Sequence, residues 1–485
     1  MDNHHTTLVW FRQDMRLEDH PPLHHAIERG KSIIPVFIWE VEKKGVWNPG
    51  AASRVWLHHS LIQMQKELAA KKSQLIIRRG QALSVLKQLI EETNADSVYW
   101  NRRYEPDSIQ HDTAIKTALR ETGIEVKTFN GSLLYEPWEV KTKSGTPFQV
   151  FTRFWEACKL FPEPSKPLPV PKILPPPLQW PHSLDVHELR LLPKVDWTDG
   201  IRETWQPGEK GAQTHLQRFI SSAIDAYSKD RDFPAVIGTS RLSPHLHAGE
   251  ISPRQIWYAL RESERLHSAA QRSNEIWAYL REIGWREFAH HLLFHFPHTP
   301  DKPLRTDFER FPWKNETQNL RAWQKGLTGY PIVDAGMREL WHTGWMHNRV
   351  RMIVASFLVK DLLIPWQEGA AWFWDTLVDA DLANNTMGWQ WSAGCGADAA
   401  PFFRIFNPVL QSRKFDANGS YIRRWIPELS ELPNKWIHEP WTASADVLTH
   451  AGINLGKDYP FPIVDHSFAR HRALNALQTL KRKLS

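Results

Sequence analysis

The sequence predicts an α/β N-terminal domain with a parallel, Rossmann-like sheet, followed by a larger all-α C-terminal domain. In the first third of the chain, short β-rich runs alternate with helix-like stretches, which is the pattern of a parallel sheet covered by helices. From about Thr204 onward, apolar residues recur at helical spacing instead. Between the two lies FPEPSKPLPVPKILPPPLQWP at 161–181, where proline favours extended backbone. We therefore expect an α/β domain at 1–135, a proline-rich interdomain linker at 136–203 and a helical domain at 204–485.

The elements of the first domain follow from runs of β-branched and aromatic residues. The expected strands are Leu8–Phe11, Ile33–Trp39, Gln74–Ile77 and Ser97–Trp100. The expected helices between them include Ala52–Leu68 and Gln81–Glu92. No GxGxxG motif follows the first strand, and the sequence contains no GxxxxGK[ST] loop. Neither a standard dinucleotide site nor a P-loop is therefore indicated.

The second domain is expected to consist mostly of long helices. The helical segments include Glu275–Phe294, Asn319–Gly326, Ile332–Val359 and Ala371–Val378. The C-terminal stretch PIVDHSFARHRALNALQTLKRKLS predicts a final amphipathic helix.

Composition places the protein among ordinary globular chains. Apolar residues make up 41% and charged residues 24% of its 485 residues. The longest apolar window, Met352–Trp366, is interrupted by Lys360 and Asp361 and is too short for a bilayer span. The N-terminus has no secretory signal, and Cys158 and Cys395 lack the spacing of a disulfide framework or zinc module. We expect a cytoplasmic protein with reduced thiols. Its net charge of +6 suits a polyanionic partner, although this signal alone is weak.

The most informative stretch, residues 379–408, combines carboxylates, amides, small residues and two tryptophans. It contains Asp379 and Asp381, then Asn384 and Asn385, and a glycine-rich turn after Trp391. An ordinary core does not need this mixture, whereas a buried polar ligand does, because polar groups fix its orientation and aromatic rings supply contact area.

A second motif, GTSRLSPHLHAGEISPRQ at 238–255, places Thr239, Ser240 and Ser243 around an expected helix start. Free backbone N–H groups and the helix dipole attract anions there, so a diphosphate would fit. A simple hydroxyl helix cap is the alternative.

Two further clusters lie on expected helices. In REIGWREFAHHL, Glu282, Trp285 and Arg286 are spaced i, i+3 and i+4, which puts a carboxyl, an indole and a guanidinium on one face. In TGWMHNRVRM, Asn348, Arg349 and Met352 form a similar cluster at i, i+1 and i+4, with Arg351 directed towards a different face. Exposed, solvated helix surfaces are the alternative for both.

These motifs, together with LVWFRQDMRLEDHPPL and WNRRYEP, resemble those of DNA photolyases and cryptochromes, most closely the photolyases that act on cyclobutane pyrimidine dimers. The resemblance implies an antenna-binding α/β domain and a helical domain that binds FAD and UV-damaged DNA. It also implies light-dependent repair, in which photoexcited reduced FAD donates an electron to the flipped-out dimer. A cryptochrome-like blue-light receptor without repair activity is the alternative, and Glu282, Met352 and Asn385 argue against it. A plain flavin electron-transfer protein or a DNA-binding module fits less well.

The resemblance also implies roles for individual residues. The expected catalytic residues are Glu282, Trp285, Met352 and Trp391 at the reacting dimer, and Asn385 beside the central ring of the flavin. The expected FAD contacts are Tyr227, Thr239, Ser240, Arg241, Leu242, Ser243, Arg351, Asp379, Ala380, Asp381 and Asn385. The expected DNA contacts are Arg231, Glu282, Trp285, Arg286, Asn348, Arg349, Arg404 and Gln411. The expected electron-transfer chain consists of Trp389, Trp366 and Trp313.

A second, antenna chromophore is implied less specifically. Methenyltetrahydrofolate is favoured and a deazaflavin is possible, but Asp107 and Ser108 stand where folate-binding relatives have an Asn–Glu pair. His290, His291 and His295 have partial metal-ligand spacing, but without HExxH or a clear third ligand no metal site is expected. We expect a monomer that binds UV-damaged DNA, with no membrane or protein partner.

Overall fold

The computed structural model describes residues 6–40, 47–267, 270–398 and 403–482. The N-terminal part contains a five-stranded, wholly parallel sheet in the order β3-β2-β1-β4-β5. Its strands are β1 (Thr6–Phe11), β2 (Ser32–Trp39), β3 (Ile76–Arg79), β4 (Ala95–Asn101) and β5 (Glu125–Phe129). Its helices are α1 (Pro21–Glu28), α2 (Ala51–Ala70), α3 (Ala82–Thr93) and α4 (Pro106–Glu121).

The buried residues of β1 and β4 explain why this sheet is parallel. Leu8 and Val9 on β1 and Val98 on β4 are fully buried although neighbouring side chains on a strand point to opposite faces. Both faces are therefore covered, as the helical crossovers of a parallel sheet require. The α/β fold class is confirmed. The edge strand β5 was not predicted from the sequence, because only Val126 in EVKTF is buried.

The remaining chain is helical and confirms the all-α prediction for the C-terminal domain. Its helices are α5 (Phe151–Cys158), α6 (Asp199–Thr204), α7 (Glu209–Arg218), α8 (Tyr227–Asp230), α9 (Ser243–Ala248), α10 (Pro253–Leu266), α11 (Ala270–His295), α12 (Thr317–Gln324), α13 (Pro331–Thr343), α14 (Asn348–Ser356), α15 (Trp366–Thr376), α16 (Leu382–Ala393), α17 (Pro408–Phe415), α18 (Ser420–Trp425), α19 (Ala445–His450) and α20 (His466–Arg482). Short π-helical turns at Phe219–Ala223 and Phe357–Asp361 extend α7 and α14.

The prediction of one helical segment over Ile332–Val359 is wrong, because α13 ends at Thr343 and α14 begins at Asn348. Gly344 between them has φ +68, a left-handed conformation that favours glycine, and a Cβ there would lie 2.7 Å from the side chain of Val378. His347 then caps α14 by accepting a hydrogen bond from the backbone N–H of Arg349. The segment therefore forms two helices, separated by residues 344–347.

The segment at 136–203 contains α5 and α6 and is only partly extended. Residues 161–181 have no helix or strand, as their prolines predict, but they are bound to both domains. The carbonyl of Pro175 accepts from the Ile33 N–H at 2.8 Å, and that of Pro164 accepts from the Tyr258 hydroxyl at 2.6 Å. The domain limits at 135 and 203 stay predictions.

Candidate active site

A cavity of about 610 Å³ opens in the helical domain between α9, α11, α14 and α16. Every predicted FAD contact and every residue predicted at the dimer lines it. The predicted DNA contacts that also line it are Arg231, Glu282, Trp285, Arg286, Asn348 and Arg349. Arg404 and Gln411 lie outside it, with Arg404 exposed and packed against the Phe406 ring, and Gln411 on α17. The sequence motifs, which are far apart along the chain, thus meet at one place.

The charged side of the cavity is organised around Asp379. Its Oδ2 atom accepts hydrogen bonds from the Ser243 hydroxyl at 2.6 Å and from Arg351 Nη2 at 2.8 Å. The Trp345 indole N–H donates to the same Ser243 hydroxyl at 3.1 Å. Asp379 Oδ1 is buried and has no hydrogen-bond partner among the described residues. One carboxylate oxygen is therefore available for a ligand that donates a hydrogen bond.

Arg241 supplies the complementary charge. Its guanidinium lies over the rings of Trp205 and Trp345, at 4.5 and 4.9 Å from their centroids, and its buried Nε has no partner in the part of the chain that the structure describes. The backbone of Arg241 is left-handed, with φ +53, a conformation that is strained for a residue other than glycine and that is concentrated at functional sites. This cation suits an anionic ligand group such as a phosphate.

The alternative of a hydroxyl helix cap at this motif is wrong. The N-cap of α9 is Leu242, which makes no side-chain cap bond. The Ser240 hydroxyl accepts from the Tyr279 hydroxyl at 2.8 Å and from the Leu242 N–H at 3.3 Å, while Ser243 is bound to Asp379. The hydroxyls are thus used to shape the cavity wall.

Asp381 begins α16 by accepting a hydrogen bond from the Asn384 N–H at 2.8 Å. His290 Nε2 lies 3.4 Å from Asp381 Oδ2. Burial by itself would raise the pKa of Asp381, but the charge and hydrogen bond of His290 outweigh burial and lower it. Burial likewise opposes protonation of His290, and Asp381 reverses this and raises the His290 pKa. We infer a buried ion pair that fixes the start of α16.

Asn385, in the first turn of α16, has the nitrogen of its side-chain amide held by a hydrogen bond. Its Nδ2 donates to the Ala370 carbonyl at 3.0 Å. This bond directs the amide and leaves the carbonyl oxygen as the acceptor that Asn385 brings to the cavity.

At the other end of the cavity, Arg231 Nη1 donates to Glu282 Oε1 at 2.6 Å, and the Arg231 guanidinium lies 5.2 Å from the Tyr227 ring. The Arg231 and Glu282 side chains are 27% and 30% exposed, so this pair remains accessible from solvent. Arg349 is held similarly by Asp232 at 2.6 Å. The cavity therefore has a buried polar end and a half-exposed cationic end.

The three tryptophans of the expected electron-transfer chain belong to one hydrophobic core. Trp389 lines the cavity and is 2% exposed, Trp366 is 1% exposed, and Trp313 is half-buried. Gly369 allows α15 to touch the Trp389 ring, because any Cβ there would overlap it. Trp389 and Trp366 are thus both buried, and Trp313 is the member of the set that is partly exposed.

Sequence reasoning missed two cavity residues, Tyr279 and Trp345, and the structural role of His290, which is not part of the cavity lining. Tyr279 and Trp345 hold Ser240 and Ser243, and His290 pairs with Asp381. Tyr279 lies three residues before Glu282, so its helical spacing could have revealed it. The partners of Trp345 and His290 lie far away in sequence and gave no such signal.

Within residues 6–40, 47–267, 270–398 and 403–482, no three His, Cys, Asp or Glu side chains are grouped to hold a metal ion. The other two discounted histidines have structural contacts: His291 Nε2 accepts from the Phe148 N–H at 3.0 Å, and His295 lies 3.1 Å from the Pro137 carbonyl. Over the same described ranges, no helix is both long and apolar enough to cross a membrane.

Comparison with known proteins agrees with this geometry. A family model described as DNA photolyase matches residues 7–172, and one described as the FAD binding domain of DNA photolyase matches residues 279–479. A deoxyribodipyrimidine photo-lyase from Agrobacterium fabrum is 50% identical over 98% of this chain and 98% of its own. The crystal structure of a bacterial class III photolyase from Agrobacterium tumefaciens, also 50% identical, has a TM-score of 0.95 over 99% of this chain and 98% of its own. Cryptochrome-1 of Arabidopsis thaliana is 41% identical over 98% of this chain and 71% of its own length.

Proposed function

Because the chain belongs to the DNA photolyase and cryptochrome family, we propose that it is a light-dependent repair enzyme that splits cyclobutane pyrimidine dimers in UV-damaged DNA. The observation that carries the proposal is the shared cavity. Residues suited to FAD and residues suited to a damaged base pair line the same 610 Å³ space. Direct electron transfer requires the donor and its substrate to lie close together, as two ligands in one cavity would.

The buried end of the cavity fits FAD. Arg241 Nε and Asp379 Oδ1 are a buried donor and a buried acceptor without partners among the described residues, so an anionic group and a hydrogen-bond donor on the ligand would satisfy them. When bound, reduced FAD supplies the light-driven electron that opens the cyclobutane ring. Asp379, Asp381 and Arg351 would hold and orient the cofactor, and the Asn385 amide would offer it a hydrogen-bond acceptor.

The half-exposed end would receive the dimer. Trp285 and Trp391 provide apolar walls, Met352 packs on the lesion, and Glu282 hydrogen-bonds the dimer. Flipping the dimer out of the duplex costs a few kcal/mol, less at a lesion whose stacking is already weakened. Cations bind the flanking phosphates and offset this cost. The proposed DNA contacts are Arg231, Arg286, Asn348 and Arg349, which line the cavity, together with Arg404 and Gln411 outside it.

Trp389, Trp366 and Trp313 are proposed to relay an electron from the surface into the cavity. Indoles are readily oxidised, and the partial exposure of Trp313, with the other two indoles buried, supports a path that ends at solvent. This path serves activation of the cofactor and is separate from repair.

Three finer assignments are also proposals. A second chromophore, methenyltetrahydrofolate or a deazaflavin, would bind the N-terminal domain, through a contact set that differs at Asp107 and Ser108 from the Asn–Glu pair. Cys158 and Cys395 are buried and free, which supports a reducing compartment such as the cytoplasm. A monomer is the third of these proposals.

The similarity to a plant cryptochrome supports a second candidate function, that of a blue-light receptor without repair activity. To separate the two, purified FAD-containing protein is photoreduced and mixed with an oligonucleotide that carries one thymine cyclobutane dimer, in blue light and in darkness. Restoration of two thymines in light only supports the repair enzyme. Glu282→Ala and Trp285→Ala should lose it.

Trp277→Ala is the matched control for Trp285→Ala. Trp277 lies on the same helix, packs edge-on against Trp257 at 5.8 Å and does not line the cavity, so this variant should still repair. Photoreduction of FAD without any dimer splitting would refute the repair function and favour the receptor.

A further inference from the structure

The Trp285 ring has a second aromatic ring directly behind it. The Phe151 ring lies parallel to it, with centroids 3.6 Å apart and an interplanar angle of 11°. Trp285 lines the cavity and is half-buried, whereas Phe151 is 1% exposed and is not part of the cavity wall. Phe151 therefore covers a face of Trp285 outside the cavity wall.

The chain is built to bring these rings together. Gly284 stands in the interior of α11, where glycine destabilises a helix by roughly 0.5–1 kcal/mol relative to alanine. A Cβ at Gly284 would lie 2.5 Å from the Trp155 ring of α5, so only glycine permits this approach. Trp155 in turn is parallel to Phe151, at 6.5 Å and 10°. The close packing of α5 on α11 places Phe151 under Trp285.

Two further contacts fix the stack. Phe288 meets both rings edge-on, at 5.9 Å from Phe151 and 6.0 Å from Trp285. The Phe151 N–H donates to Asp398 Oδ2 at 3.3 Å, which joins the start of α5 to the segment after α16. Helix α5, helix α11 and the segment after α16 thus all contribute contacts that hold Phe151 against Trp285.

We propose that Phe151 is a positioning residue that fixes the plane of Trp285 for recognition of the dimer. The proposal rests on the repair function and adds a residue that does not touch the substrate. A half-buried indole can rotate about its side-chain bonds, and a ring stacked on one face limits that rotation before the ligand arrives. Such preorganisation increases affinity by reducing the ordering that binding requires.

The test compares two substitutions on α5 in the FAD-containing protein. Phe151→Leu removes the ring behind Trp285. Phe154→Leu is the control, because Phe154 is equally buried but contacts Phe288 and His291 at 5.2 and 5.0 Å. Binding is measured in darkness by fluorescence anisotropy, with an oligonucleotide that contains one thymine dimer and with the undamaged sequence.

We expect the preference for the dimer to fall by between about twofold and about tenfold in Phe151→Leu, which is the range of measured aromatic pairs. Phe154→Leu should keep the wild-type preference, and Phe151→Tyr, which retains the ring, should restore it. Phe151→Met serves if Phe151→Leu does not retain FAD. Equal preference in wild type, Phe151→Leu and Phe151→Met would overturn the proposal.

A double-mutant cycle shows whether the effect passes through Trp285. In a Trp285→Ala background, Phe151→Leu should cause no further loss of preference, and an undiminished loss there would overturn the positioning role. If wild type itself shows no preference for the dimer, the repair function fails. If wild type shows the preference and both leucine variants match it, only the role of Phe151 fails.

Discussion

FAD affinity should depend strongly on the charge of Asp379. Its Oδ2 is shared by Ser243 and Arg351, and its Oδ1 is buried without a partner among the described residues. Asp379→Asn keeps the volume, but it leaves Arg351 without its counter-ion and replaces a charged acceptor by a neutral one. A hydrogen bond to a charged group contributes about 1.5–3 kcal/mol, and each 1.4 kcal/mol is about tenfold in affinity. We therefore expect the Kd for FAD to rise by about tenfold to a hundredfold.

The assay is titration of the apoprotein with FAD, followed by quenching of flavin fluorescence. Asp416→Asn is the matched control, because Asp416 is also buried and accepts from the Tyr421 and Ile422 N–H groups at 2.9 and 3.0 Å, outside the cavity. It should lower stability and leave the Kd for FAD unchanged. An Asp379→Asn protein that binds FAD as tightly as wild type would refute the assignment.

Three further predictions concern electron transfer, the lesion and pH. Trp389→Phe should slow photoreduction of oxidised FAD, measured by absorbance in blue light, and leave repair by chemically reduced protein intact. Glu282→Ala should abolish preferential binding of dimer-containing DNA with unchanged FAD content; a retained preference would contradict its placement at the lesion. Burial raises the pKa of Glu339 from 4.5 to about 7. Folded protein then holds a proton that unfolded protein releases, so stability falls as pH rises from about 4.5 to about 7. Glu339→Gln should remove this loss, about 3 kcal/mol, and unfold at higher urea than wild type at pH 8 but not at pH 4.5.

The elements that could be predicted from the sequence are those with a strong local period. The buried strands β1 and β2 and the long helix α11 have continuous patterns that need no knowledge of the tertiary structure. Strand β5 was not predicted, because only one of its side chains is buried. A single helix was predicted over Ile332–Val359, because the apolar spacing continues on both sides of Gly344. This glycine has a left-handed backbone conformation that ends the helix, and the spacing of apolar residues does not reveal that conformation.

The cavity residues within short motifs were found because the resemblance supplied them together. Phe151 was not found, because it lies in a segment that its prolines identified as a linker, more than a hundred residues before its partner Trp285. Gly284 was the available signal, since glycine inside a helix often marks the close approach of another element. It does not reveal which element approaches.

The distinction between repair and light sensing depends on the half-exposed end of the cavity. The buried end, with Asp379 on Arg351 and Asp381 on His290, holds charges that are costly to rearrange, and both a repair enzyme and a receptor need it to hold a flavin. The Arg231–Glu282 pair is about 30% exposed on each side, so solvent lowers the free energy needed to break it. An incoming pyrimidine can then hydrogen-bond Glu282 while a DNA phosphate pairs with Arg231. The new interactions would offset most of the free energy lost when the Arg231–Glu282 pair separates. A receptor that binds no DNA does not need this exchange. In a repair enzyme, the coupling energy between Arg231 and Glu282, measured by a double-mutant cycle of stability, should therefore be smaller with damaged DNA bound than in the free protein.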